Sequence, residues 1–198
     1  GEGEGEGEGE GEGEGEGEGE GEGEGEGEGQ PVQYDFGDAP APYKTLLADD
    51  GPRHAIDHVT FLGQCVSAEA DGQPSTNADT DTCDDGVVIN FSSVGVNDIL
   101  DFSFYLSVAA HINVWVDYNG DGDFEDPHEW VINGNGFNYP GGVWWNSAGN
   151  VPPDAPIGNN TTGLMRVRVS TEPVYSANGL AAGFGEVEDY LIHFKQTT

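Results

Sequence analysis

The sequence predicts an all-β fold, an antiparallel β-sandwich with calcium-type loops, behind an extended low-complexity N-terminal tail. Three observations predict it. Apolar residues run in short stretches of period two, clusters of Gly, Asn, Asp and Pro separate those stretches, and no long segment carries a helical period. By composition the chain divides into a Gly-Glu repeat over 1–29, a linker and lead-in segment over 30–42, and a sandwich domain over 43–198.

The tail alternates Gly and Glu without a break. In an extended strand this places bare backbone on one face and carboxylates on the other. Helix is disfavoured because each Gly costs about 1 kcal/mol relative to Ala. With no apolar side chain, the segment offsets none of the roughly 1–2 kcal/mol of backbone entropy per residue, so it orders only against a partner. The expectation is an intermolecular strand connecting copies of this chain in a homopolymer; the alternative is an acidic, solvated tail.

Within the body, Pro31, Pro40 and Pro42 keep the lead-in segment out of helix. Strands are expected at Val87 to Phe91, Ile99 to Val108, His111 to Tyr118, Trp130 to Ile132, Leu164 to Ser170 and Val187 to Phe194. Alternation of Leu164, Arg166 and Arg168 with Met165, Val167 and Val169 reads as a half-buried strand. Short helical turns fit only Leu62 to Ala70 and Ser176 to Ala182. The rings of Trp115, Trp130, Trp144, Trp145, Phe102, Phe104 and Phe184 are expected in the core or covering a sheet. Tyr139, Trp144 and Trp145, on a Gly-rich loop, are the candidates for contact with a glycan or a neighbouring subunit.

Charge narrows the partners. Outside the tail there are 24 acidic residues against five Lys and Arg, a net charge of −19. Nucleic acid and anionic membrane are thereby excluded as partners, and cations favoured. No stretch approaches the ~18 consecutive apolar residues of a membrane span. Cys65 and Cys83 flank an acidic, hydroxyl-rich segment that cannot hold its own shape by packing. A disulfide between them would place the protein outside the reducing cytosol; two free thiols are the alternative. Asn90, Asn159 and Asn160 begin N-glycosylation patterns.

The densest local signal is Asp117-Tyr118-Asn119-Gly120-Asp121-Gly122-Asp123-Phe124-Glu125, placed directly after a strand. Alternate oxygen donors around a Gly-allowed turn suit Ca²⁺, which takes six to eight hard oxygen ligands. The expected ligands are Asp117, Asn119, Asp121, Asp123 and Glu129; a solvated Asp and Asn turn is the alternative. A second, weaker site is expected among Asp71, Asp79, Asp81, Asp84 and Asp85. His54 and His58, at i and i+4, are a minor zinc candidate.

Gly185-Glu186-Val187-Glu188-Asp189-Tyr190 opens the last expected strand. Together with Asp35-Phe36-Gly37-Asp38-Ala39-Pro40, Gly51-Pro52-Arg53-His54, Glu69-Ala70-Asp71-Gly72, Asp84-Asp85-Gly86-Val87 and Arg166-Val167-Arg168-Val169-Ser170, it makes the chain resemble the GEVED domain family. That resemblance implies an extracellular or cell-surface β-sandwich module of bacterial proteins, without known catalysis. No catalytic residue is assigned, since no nucleophile stands beside a positioned base, and no enzyme is expected. The domain stands behind the Gly-Glu tract and ends eight residues after Tyr190. A calcium-stabilised, self-assembling filament subunit is therefore expected, with a calcium-dependent adhesion or carbohydrate-binding module as the alternative.

Overall fold

The computed structural model describes residues 31–195. The Gly-Glu repeat, and with it the expected connector, lies outside the described residues. Nine strands are present among them: β1 (Tyr34–Phe36), β2 (Arg53–Ala55), β3 (Val87–Ile89), β4 (Ile99–Tyr105), β5 (His111–Val116), β6 (Trp130–Asn133), β7 (Trp144–Asn150), β8 (Thr162–Ser170) and β9 (Leu180–His193). They form two sheets, one ordered β1-β2-β9-β8-β5-β6 and one ordered β3-β4-β7. Pairing is antiparallel throughout except between β2 and β9, which run parallel.

The main core lies where the sheets face. From the larger sheet Ile112, Val114 and Val116 of β5 and Met165, Val167 and Val169 of β8 point inward, and from the smaller sheet Leu100, Phe102 and Phe104 of β4. Each such side chain, taken fully from water, contributes about 1.5–3 kcal/mol. β4 alternates buried and half-exposed residues, as a strand with one covered face should.

β5 and β8 depart from the half-buried expectation, because both faces of each are covered. A second cluster of Ala39, Ala78, Trp115, Phe124, Leu164, Val174 and Ala177 closes the outer face of the large sheet. Trp115 and Trp130 stack there with centroids 5.4 Å apart. The arginines of β8, expected at a wet face, are therefore buried under the lead-in segment and the loop after β8.

Other differences are local. β1 and β2 have three residues each, too short to show a period, and β7 is built from Asn, Ser, Ala and Gly after its tryptophans, held by pairing with β4 from Ile99↔Asn150 to Tyr105↔Trp144. Neither expected helical turn forms: Leu62 bridges to Leu106, and Leu180–Ala182 opens β9. The short 3-10 turns fall instead at Leu47–Asp49 and Gly134–Gly136. Phe184, expected in the core or covering a sheet, is 46% exposed, because it lies on the half of β9 that extends past the packed layer. Cys65 and Cys83 form the expected disulfide, with Cα atoms 5.4 Å apart.

Candidate metal centre

The loop after β5 folds as a spiral of side-chain-capped turns. Asn119 Oδ1 accepts from Asp121 N (3.0 Å), Asp121 Oδ1 from Asp123 N (3.2 Å) and Asp123 Oδ1 from Glu125 N (2.9 Å). Short polar side chains that accept from the amide two residues on hold such turns without a core. Asp117, fully buried at the root of the loop, accepts from Gly120 N (2.5 Å), Gly122 N (3.0 Å) and Tyr43 Oη (2.7 Å). Glu129, also buried, accepts from Tyr118 N (3.1 Å) and Asp126 N (3.2 Å). Burial, with the nearby Asp117 and Asp126 charges, pushes its carboxyl up to about 7.

Two of the five expected ligands therefore brace the loop from inside. The carboxylates that converge at its surface are Asp121, Asp123 and Asp126, each offering an oxygen within 4.8 Å of the others. Asn119 Nδ2 donates to Asp121 (2.9 Å) and Asp126 (2.5 Å) from the side. Oxygens sharing one Ca²⁺ at 2.3–2.6 Å can lie at most about 5 Å apart, so the triad has the right span. Asp126 was not among the expected ligands. It sits at the tenth position of the loop, off the alternation that marks the others, and only the turn at Asp126-Pro127-His128-Glu129 swings it back.

The five acids of the weaker expected site do not gather in one place. Asp71 accepts from Leu47 N and Gly72 N, Asp79 caps Ser75, Asp85 accepts from Gln64 N, and Asp84 accepts from Asp189 N (3.3 Å). Only Asp81 joins another group, with Asp35 and Glu69. Likewise His54 is buried and its Nε2 accepts from Arg168 Nε (3.0 Å), whereas His58 is exposed beside Gln33.

A second constellation surrounds the motif at the centre of β9. Its alternate residues point to opposite faces. Asp189 pairs across the sheet with Arg166, and its Oδ2 also accepts from Asp38 N (3.1 Å) and Ala39 N (3.0 Å). Glu186 accepts from Leu62 N (2.6 Å), and Glu188 from Asp85 N (3.1 Å), Gly86 N (2.8 Å) and Tyr190 Oη (3.0 Å). Past Gly185 the edge of β9 no longer pairs with β2; there Val187 N donates to Asp35 Oδ2 (2.6 Å) and Asp189 N to Asp84, so carboxylates take the role of a neighbouring strand. A Cβ at Gly185 would fall on the Val169 carbonyl oxygen, and one at Gly37 on Asp189 Oδ2. Arg168 donates to the carbonyls of Arg53, Ser176, Asn178 and Gly179, tying β2 and the loop after β8 to the sheet.

Tyr139 and Trp145 pack edge-on to each other, with Tyr139 also against Phe104 and Phe137, and Trp145 Nε1 donates to the Pro140 carbonyl. Trp144 alone of the three stands exposed, at 55%, over a cleft of about 640 Å³ lined by Phe61, Gln64, Asp85, Tyr105 and Ser107.

Two facing sheets with a buried Arg and carboxylate frame define a β-sandwich module. Residues 111–193 match the family described as the GEVED domain. The motifs at Asp35, Gly51, Glu69 and Asp84 lie before the matched segment and fold against it. No curated protein and no solved structure matches the chain.

Proposed function

We propose that the chain is a structural subunit of an extracellular or cell-surface filament, stabilised by Ca²⁺ and joined to its neighbours by the Gly-Glu tail. The observation that supports this most is β7. It is a seven-residue strand at the edge of the smaller sheet, and among the described residues no strand pairs with its outer side. Its sequence, Trp144-Trp145-Asn146-Ser147-Ala148-Gly149-Asn150, has no charge and no Pro, the devices that usually blunt an edge. A bare Gly-faced segment from another copy is the kind of strand such an edge accepts, with affinity from main-chain hydrogen bonds. Head-to-tail donation does not close, so it yields a fibre.

In this reading Ca²⁺ is held at the loop after β5 by Asp121, Asp123 and Asp126, with Asn119 and the loop carbonyls as further oxygen donors. Asp117 and Glu129 hold the loop in shape. The ion neutralises part of the −19 carried by the body. The disulfide supports an oxidising location. No catalytic role is proposed.

Electron microscopy of the full chain and of a chain lacking residues 1–29, each with millimolar Ca²⁺ and with chelator, tests the proposal. Filaments from the full chain that fray on chelation, and none from the shortened chain, are expected. Equal polymerisation by the shortened chain rejects the tail as connector.

One observation favours the adhesion alternative, the exposed Trp144 beside polar Gln64, Asp85 and Ser107 in the cleft. Aromatic faces rimmed by hydrogen-bonding groups suit sugars. Saturable glycan binding lost in Trp144→Ala, with no filaments under any condition, would select it.

A further inference from the structure

We propose that Asp35, Glu69 and Asp81 form a second, partly buried site for a hard divalent cation, Ca²⁺ by size and ligand type, that fastens the disulfide loop to the edge of the large sheet. It is independent of the filament reading and of the exposed loop after β5.

Geometry comes first. One carboxylate oxygen from each of the three lies within 4.8 Å of the others, inside the separation of about 5 Å available to oxygens bound to one Ca²⁺. The three come from distant places in the chain. Asp35 is the middle residue of β1, while Glu69 and Asp81 lie between Cys65 and Cys83.

The second observation is an unpartnered atom. Asp35 is completely buried; its Oδ2 accepts from Val187 N, and its Oδ1 has no hydrogen-bond partner. A buried carboxylate oxygen left unpaired costs several kcal/mol unless a proton or a cation meets it. No Lys, Arg or His among the described residues bonds to any of the three carboxylates. Arg166 is engaged by Asp189, and Arg168 by His54 and backbone carbonyls.

Ser67 points the same way. Its Oγ stands 2.6 Å from Glu69 Oε1 and 2.7 Å from Asp81 Oδ1, yet a hydroxyl has one proton and can serve one of them. The remaining oxygen pair is repulsive while both carboxylates are ionised, and a cation between them removes the repulsion. The hydroxyl oxygen then becomes a neutral ligand. Phe36 N on Glu69 Oε2 (3.2 Å) and Cys83 N on Asp81 Oδ1 (2.8 Å) orient the two carboxylates as outer supports orient metal ligands.

The test counts bound metal. In the full chain, Asp121→Asn, Asp123→Asn and Asp126→Asn together remove the exposed triad; Ca²⁺ per chain is then measured by elemental analysis after equilibrium dialysis at fixed free Ca²⁺. Adding Asp81→Asn, which keeps an acceptor for Cys83 N, should lower the count by one and weaken the tightest remaining affinity at least tenfold. Every variant carries the same tail, so the difference reports the buried site alone. An unchanged count overturns the proposal. Should the fourfold variant lose its near-ultraviolet circular dichroism, hydrogen exchange of residues 65–83 in the triad-free chain decides. Greater protection with Ca²⁺ than with chelator supports the site, and identical exchange rejects it.

Discussion

Arg166 and Asp189 meet across β8 and β9 with Nε 2.7 Å from Oδ1 and Nη2 2.9 Å from Oδ2, and neither side chain is exposed to solvent. The pair satisfies more than its own charges. Asp189 also receives the Asp38 and Ala39 amides, and Arg166 reaches Asn178 Oδ1 and lies over the Phe124 ring at 5.2 Å. The last strand is thereby joined to the lead-in segment, the loop after β8 and the calcium-type loop. Removing one member of a buried pair leaves the other charged and unpaired, which costs about 3–5 kcal/mol. Asp189→Asn should show a loss of that order in urea unfolding. A change below about 1 kcal/mol would remove the pair from the account of stability.

Gly185 tests the motif's first letter. Because a methyl there would meet the Val169 carbonyl, Gly185→Ala must open the β8 and β9 pairing, at a cost of about 1–3 kcal/mol for overpacking. Thermal melts should show a clearly lower midpoint. Gly136→Ala, where a Cβ would meet nothing within 4 Å, is the control and should melt within a degree or two of the parent.

The disulfide closes a separation of 18 residues, worth about 3 kcal/mol in the chain-entropy picture. Replacing both cysteines with Ala should lower stability by that order. It should also loosen Asp81, whose carboxylate is held by the Cys83 amide. Equal melting of the parent with and without reductant would show that the acidic loop is held by other contacts.

Glu188 contributes one part of the pH dependence, beside Asp38 and Glu129, whose carboxyls burial also raises, to about 6 and about 7. Burial pushes the Glu188 carboxyl from 4.5 up to about 8. The folded chain then holds a proton that the unfolded chain has released, so stability is fully present below about 4.5 and is lost as pH rises through about 8. In chelator, the melting midpoint should fall between pH 5 and 9, and Glu188→Gln, which keeps an acceptor for the Gly86 amide, should flatten that fall. Parallel slopes for the two proteins would assign the dependence to other groups.

Much of this was legible in the sequence. The strands at Ile99, His111, Leu164 and Val187 announced themselves through apolar alternation, because one side of each had to meet the opposite sheet. β7 did not, since Asn, Ser and Gly have little strand preference and pairing with β4 decides their conformation. The loop after β5 was visible because its oxygen donors are close in sequence. The place of Asp126 in its cluster was not visible, and Asp35 and Glu69 stood in separate motifs with nothing local to show that they meet.

What the sequence by itself determined is the class of fold, the cysteine pair, the acidic excess and the order of the motifs, all of which follow from composition, period and short spacing. Tertiary structure alone decided which face of β8 would be wet. The answer was neither, because the lead-in segment and the loop after β8 return to cover it and supply partners for both arginines. It alone brought Asp35 from one end of the described chain to Glu69, Asp81 and the Val187 amide. The physical reason is range. Hydrophobic period and turn chemistry act over a few residues, whereas a buried carboxylate is defined by donors and charges that only chain topology can deliver.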